Sequence, residues 1–169
     1  MKQGVEPALR KEVWKFLLGY LEYGATDAER QQTMASLRRE YEELKAKWVE
    51  ASSLTDEQDP TFQHYTQYSR KIAKDVHRTD QNEEYYSGKH NPRFTQMREL
   101  LLAYSFYDME LGYVQGMSDL LSPVLVVMDN EADAFWCFVG IMSSVVRCSF
   151  SFFSFHSSSL TFLLLLSVT

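Results

Sequence analysis

The feature that most limits how this chain can fold is a regular apolar stripe between residues 34 and 48. Apolar side chains recur there at spacings of three and four, as Met34, Leu37, Tyr41, Leu44 and Trp48. This spacing places all of them on one side of an α-helix, whereas a strand would need strict alternation. The run from Thr26 to Glu29 has the form of a capping box and marks where the helix begins. The stripe therefore predicts a long amphipathic helix that other helices must cover.

Similar signals predict helices along most of the chain. The first covers residues 7–18, with proline in its first turn and Gly19 as its stop, and its buried face is expected to hold Val13, Trp14, Leu17 and Leu18. Further helices are predicted after the polar run 52–60, after Asn91, in the apolar segment 117–128 with an interruption at Pro123, and after Asn130. Because no convincing strand pattern appears before residue 143, the predicted fold class is all-α.

Composition excludes several functional classes. The 169 residues suit one domain, and a net charge of −6 disfavours nucleic-acid binding. The two cysteines, Cys137 and Cys148, lack the spacing of a zinc site or a disulfide scaffold, which favours a reducing, cytosolic setting. The four histidines show no paired metal-ligand pattern, so no metal site is assigned: His64, His77, His90 and His156. The charged N-terminus does not resemble a secretory signal.

The character of the sequence changes at residue 143. Residues 143–169 consist almost wholly of Ser, Phe, Leu, Val and Thr, with one arginine and no acidic residue. No helical period or cap is evident there, so the chain is divided into a helical domain, residues 1–142, and a low-complexity tail, residues 143–169. The apolar stretch 160–168 is shorter than the roughly 20 residues of a membrane-spanning helix, and membrane insertion is not expected.

One segment with potential chemistry contains Ile72, Asp75 and Arg78. Their spacing of three places them on one side of a helix. Ile72 can anchor that side to the core, Asp75 can orient a neighbour, and the Arg78 guanidinium can reach outward where the helix ends. By itself the segment is equally compatible with an ordinary Asp–Arg pair on a solvated helix face, and such pairs are common and weak.

A second segment contains Gly112, Tyr113, Gln115 and Gly116. The glycines allow unusual torsions or close backbone approach, and the Gln115 amide can both donate and accept a hydrogen bond. By itself this segment is also compatible with a helix–helix turn that contains a structural glutamine. The neighbouring Ser118 and Asp119 could suggest a nucleophile and a base, but no histidine is placed to complete a triad.

Together, the pattern Ile72-x-x-Asp75-x-x-Arg78 followed by Tyr113-x-Gln115-Gly116 resembles the two signature motifs of the TBC family of Rab GTPase-activating proteins. The resemblance covers residues 4–142. The surrounding sequence is similar to that family in Leu9-Arg10-x-x-x-Trp14, Arg78-Thr79-Asp80, Asn91-Pro92, the run from Gly116 to Pro123, and the run from Ala134 to Phe138.

The resemblance implies an orthogonal all-α domain that stimulates GTP hydrolysis by a GTP-bound Rab. Arg78 matches the family's arginine finger and Gln115 its glutamine finger, both supplied to the GTPase in trans. Asp75 is expected to hold the arginine segment in place, with Ile72, Tyr113 and Gly116 in supporting positions. The chain would be an activator rather than an enzyme with its own turnover. It would need no cofactor or metal of its own, because the Rab carries GTP and Mg²⁺, and it would bind no nucleic acid.

The resemblance also implies where the protein is located, and it shows where this sequence differs from the family. A cytoplasmic protein that associates with endomembranes indirectly, through its Rab, is expected. The family's domain normally continues with further helices beyond residue 142, so this chain is expected to carry a truncated domain followed by a tail without a family counterpart. The alternatives to an active Rab activator are therefore a catalytically incompetent fragment and a non-catalytic module that binds a GTPase or an adaptor.

Overall fold

The computed structural model describes residues 4–80, 83–88 and 91–152. No strand occurs in these ranges, which confirms the all-α prediction. The described elements are six α-helices and one short 3-10 helix. They are α1 (Pro7–Leu17), α2 (Asp27–Ser53), α3 (Pro60–Val76), the 3-10 helix Glu84–Tyr86, α4 (Pro92–Tyr107), α5 (Met117–Val127) and α6 (Glu131–Phe152).

The helix starts that were predicted from capping residues are confirmed. At α2, the Glu29 backbone N–H donates to Thr26 Oγ1 at 3.4 Å, and the Thr26 N–H donates to Glu29 Oε2 at 2.7 Å. Asn91 Oδ1 accepts the Arg93 N–H at 2.9 Å, and Asn130 Oδ1 accepts the Asp133 N–H at 3.1 Å. These side chains satisfy N–H groups that have no partner inside the helix, so each start is fixed locally by the sequence.

Helix α4 lies at the centre of the fold and contacts α2, α3, α5 and α6. Four consecutive residues of α4, from Leu100 to Ala103, are fully buried, as expected for a helix with neighbours on every side. The predicted stripe of α2 packs onto this core: Tyr41, Leu44 and Trp48 are buried, and the two earlier members of the stripe are partly buried.

The predicted buried face of α1 is partly wrong. Leu18 is buried, but Leu17 is 49% exposed and Lys15 is buried instead. The Lys15 ammonium lies 4.0 Å from Asp133 of α6 and 3.1 Å from Glu12, so its charge is compensated inside the fold. A buried acid on another helix therefore sets the rotation of α1, which apolar spacing within α1 could not indicate.

The predicted interruption at Pro123 is also wrong. Helix α5 runs through Pro123 without interruption. The missing N–H of Pro123 leaves the Asp119 carbonyl without a helical donor, but Asp119 is exposed and water can satisfy that carbonyl. Helix α6 continues to Phe152, so it includes the first part of the tail, where no helical period is evident in the sequence. Serine is tolerated in such a continuation, because its hydroxyl finds a partner in the preceding turn, as Ser144 Oγ does in the Gly140 carbonyl at 3.0 Å.

The rest of the tail, residues 153–169, lies outside the described residues. The expectation that the tail does not insert into a membrane therefore stays a prediction. Within the described ranges, no helix combines the length and apolar character needed to cross a membrane. The part of the fold that matters for the candidate site is the junction where α3 ends and α5 begins, since these two helices pack together and carry the two motifs.

Candidate functional site

The arginine motif occupies the end of α3. Ile72 is fully buried and Asp75 is almost fully buried, so both are rooted in the core. Helix α3 ends at Val76, and Arg78 follows in the turn with a side chain that is 59% exposed. Its Nη2 forms an ion pair with Asp75 Oδ1. The guanidinium is therefore presented to solvent while one of its nitrogens is held by a carboxylate in the core.

The glutamine motif forms the loop that leads into α5. Tyr113 is buried, whereas Val114 and Gln115 are exposed. Gly116 follows at φ 95° as the N-cap of α5, a conformation that favours glycine. The loop thus anchors its aromatic residue inward and presents the Gln115 amide to solvent.

A buried hydrogen bond joins the two motifs. The Tyr113 hydroxyl donates to Asp75 Oδ2 at 2.7 Å. One carboxylate therefore contacts both motifs, with Oδ1 toward Arg78 and Oδ2 toward Tyr113. Burial and the hydrogen bond to Asp75 raise the pKa of Tyr113, and the nearby Ser118 hydroxyl opposes this shift only in part. The phenol stays protonated at neutral pH and remains a donor to the carboxylate.

A second connection lies beside the first. Thr79 and Ser118 are both almost fully buried. The Thr79 hydroxyl lies 2.8 Å from Ser118 Oγ, 3.0 Å from the Asp75 carbonyl oxygen and 3.3 Å from Asp119 Oδ1. The burial and bonding of Ser118 argue against a nucleophile, because its hydroxyl faces another residue and not a ligand. The sequence places both residues beside the motifs but gives no signal that they meet.

The glutamine loop also rests on the side of α3. Gly112 adopts φ 60°, and a Cβ added there would overlap the ring of Tyr68. Tyr68 is in turn packed against His64, with ring centroids 4.7 Å apart, and His64 Nε2 lies 2.7 Å from the Ser105 carbonyl oxygen. Helix α3 therefore supports the loop before Tyr113 as well as at Tyr113 itself. This role of Tyr68 was not predicted from the sequence.

The arrangement offers one cationic fork and one amide on a common scaffold. Such a pair can stabilise negative charge and orient a polar group on a ligand, without a covalent step. Within residues 4–80, 83–88 and 91–152, no cluster of three or more His, Cys, Asp or Glu side chains could hold a metal ion. Two of the histidines considered above, His90 and His156, lie outside those ranges.

Comparison with known proteins gives consistent matches. The family profile described as the Rab-GTPase-TBC domain matches residues 7–166. Human TBC1 domain family member 17 is 44% identical over 142 residues, which cover 84% of this chain and 22% of that protein. Human TBC1 domain family member 16 is 40% identical over 146 residues, covering 86% of this chain and 18% of that protein.

A fungal protein is similar over a longer stretch. GTPase-activating protein gyp7 of Schizosaccharomyces pombe is 40% identical over 164 residues, which cover 88% of this chain and 21% of that protein. The matched segments cover 22%, 18% and 21% of these three relatives, so this chain spans about a fifth of their length.

Proposed function

This chain belongs to the Rab-GTPase-TBC domain family, and on that basis we propose that it stimulates GTP hydrolysis by a Rab-family small GTPase. The proposal is supported by the family's description and by relatives that are named GTPase-activating proteins. The chain acts as an activator and does not turn over a substrate of its own. Its partner is a GTP-bound Rab, which brings both GTP and Mg²⁺, and any contact with an endomembrane is made through that Rab.

In this proposal Arg78 supplies positive charge to the transferring phosphoryl group. Hydrolysis is slow when charge on the phosphoryl oxygens is poorly compensated, and an arginine provided in trans accelerates it by about 10³ to 10⁵. Arg78 is exposed, and its contact with Asp75 occupies only one end of the guanidinium fork. The remaining N–H groups are available to phosphoryl oxygens, and Asp75 acts by orienting the fork.

Gln115 orients the water that attacks the phosphorus. An amide suits this task because it can accept a hydrogen bond from water through its oxygen and donate one through its nitrogen. The exposed position of Gln115, between buried Tyr113 and the start of α5, lets it reach a partner while its backbone stays anchored. The chemistry then consists of positioning and electrostatics, and no covalent intermediate is formed on this chain.

The structural observation that supports joint action of Arg78 and Gln115 is the buried hydrogen bond between Tyr113 and Asp75. It fastens together the two segments that present Arg78 and Gln115. Cooperation between two groups in one reaction requires that they be held on one frame, since a misplacement of about 1 Å can cost 10²-fold in rate.

The proposal is tested with purified Rab proteins loaded with GTP. Phosphate release is followed in a single turnover with and without the 169-residue chain, and binding to each GTP-loaded Rab is measured in parallel. We expect at least one Rab to bind and to hydrolyse GTP faster, by about 10³-fold at saturation for a complete finger arrangement. Binding without acceleration would identify a non-catalytic binding module. Absence of both across the panel would overturn the proposal.

A further inference from the structure

The residue directly after Arg78 is more deeply buried than its neighbours. Thr79 is 2% exposed, and it follows an arginine that points into solvent. Three oxygens surround its hydroxyl: Ser118 Oγ at 2.8 Å, the Asp75 carbonyl at 3.0 Å and Asp119 Oδ1 at 3.3 Å. A hydroxyl has one proton to donate and two lone pairs to accept with, so Thr79 can bond to both the arginine segment and the start of α5 at once.

Ser118 completes this arrangement from the other side. It lies in the first turn of α5, three residues after Gln115, and is also 2% exposed. Thr79 can donate its one proton to the Asp75 carbonyl and accept the proton of Ser118, so both hydroxyls are satisfied without water. Asp75 thereby takes part in both connections, through its backbone toward Thr79 and through its side chain toward Tyr113.

These contacts have a geometric consequence for the exposed groups. The loop already rests on α3 before Gln115, through Gly112 against Tyr68 and through the bond between Tyr113 and Asp75. The bond between Thr79 and Ser118 is a further attachment that lies after Gln115, and it joins residues 39 positions apart in the sequence. Two attachments at different points fix an orientation as well as a distance. They also restrain a loop whose glycines, Gly112 and Gly116, would otherwise allow wide movement.

We propose that Thr79 and Ser118 are a positioning pair that sets the placement of Gln115 relative to Arg78. The inference rests on the proposed function, in which those two groups act together on one reacting phosphoryl group. Both hydroxyls are buried and face each other, so neither touches the partner or its nucleotide. Their effect on the reaction passes entirely through the groups they position.

The test uses Thr79→Val, which keeps the shape of the side chain and removes its hydroxyl, and Ser118→Ala. Each should lower the saturating single-turnover rate by about 10-fold, a fraction of the loss that larger misplacement causes. The KM for GTP-loaded Rab should not change, because the docking surface is intact. Thr79→Ser keeps the hydroxyl and should retain the rate, and the double variant should be no slower than either single variant.

The matched control is Ser105→Ala, which removes another fully buried hydroxyl, one that donates to the Leu102 carbonyl at 2.8 Å. Thermal unfolding is measured for every variant. The control should lose stability much as Ser118→Ala does and should keep the full rate. Wild-type rates in both Thr79→Val and Ser118→Ala, alongside a slow Arg78→Ala, would overturn the positioning pair while leaving the proposed function in place.

A second readout does not depend on any Rab. In the free protein, NMR signals of the Gln115 side-chain amide and the Gly116 backbone N–H report the loop directly. Thr79→Val should shift or broaden both signals, whereas Thr79→Ser and Ser105→Ala should leave them unchanged. Unperturbed signals in Thr79→Val would contradict the positioning role even if no tested Rab responded to the wild-type chain.

Discussion

Tyr113 and Asp75, 38 residues apart in the sequence, meet in a buried hydrogen bond of 2.7 Å. The same carboxylate forms the ion pair with Arg78. A phenol in the core thus shares its acceptor with an arginine at the surface. Any change to the Tyr113 phenol should therefore alter both the stability of the fold and the placement of the Arg78 guanidinium.

The first prediction concerns this bond. Tyr113→Phe removes a donor to a buried carboxylate, and hydrogen bonds to charged groups contribute about 1.5–3 kcal/mol. We expect the free energy of unfolding in urea to fall by an amount in that range. Tyr104→Phe is the control, because Tyr104 is buried to a similar extent but its hydroxyl reaches Asp108 only at 3.5 Å. Equal losses in the two variants would contradict the importance of the bond between Tyr113 and Asp75.

The second prediction concerns Gly112. An alanine there would adopt a left-handed conformation at a cost of about 1–2 kcal/mol, and its Cβ would also overlap Tyr68. Gly112→Ala should therefore lower the free energy of unfolding by more than the torsional cost alone. Combining it with Tyr68→Ala removes the overlap but not the torsional strain, so the penalty of the glycine substitution should be smaller in that background. Gly24→Ala, where a Cβ meets no atom within 4 Å, should be tolerated.

The third prediction concerns Asp133, which joins three helices. Its carboxylate accepts hydrogen bonds from Tyr20 at 2.8 Å and from Arg38 at 2.9 and 2.8 Å, and Lys15 lies nearby. Burial alone would raise the pKa of Asp133, but the hydrogen bonds from Arg38 and Tyr20 outweigh it and lower the pKa. At neutral pH, Asp133→Asn should cost about 3 kcal/mol, because it removes the buried negative charge beside Arg38 and Lys15 and leaves Lys15 with only the exposed Glu12.

The pH dependence follows from the direction of that shift. A depressed folded-state pKa means that the stabilisation is complete above the unfolded value of about 3.9 and is lost as pH falls through the folded value. The stability gap between wild type and Asp133→Asn should therefore be constant near neutrality and shrink below about pH 4. Asp129→Asn, at an exposed acid paired with Lys11, should change little. A gap that persists unchanged into strong acid would contradict the charge-based account.

Local features of the fold could be predicted from the sequence. Capping side chains act within three residues, so Thr26, Asn91 and Asn130 fixed helix starts that the structure confirms. The apolar stripe of α2 could also be predicted, because its spacing depends on the sequence of one helix alone. The predicted positions of Arg78, at the surface just past a helix end, and of Ile72, in the core, agree with the structure for the same reason.

Features that depend on contacts between helices could not be predicted. The burial of Lys15 requires Asp133, 118 residues later, and apolar periodicity in α1 favoured Leu17 instead. The contact of Thr79 with Ser118 joins two short polar residues that carry no pairing signal of their own. The continuation of α6 past residue 142 was missed because a Ser-rich composition looked unlike a helix, although serine can bond to the preceding turn.

The central claim is that Arg78 and Gln115 together accelerate GTP hydrolysis by a Rab. The most direct measurement is the single-turnover rate of a responsive GTP-loaded Rab at saturating concentrations of wild type, Arg78→Ala, Gln115→Ala and Arg78→Lys. The control is Arg70→Ala, at an exposed arginine of helix α3, which ends two residues before Arg78. Each finger variant should still bind the Rab but lose about 10²-fold or more in rate, including the lysine variant, which lacks the planar fork. Rates near wild type in both Arg78→Ala and Gln115→Ala would contradict the account.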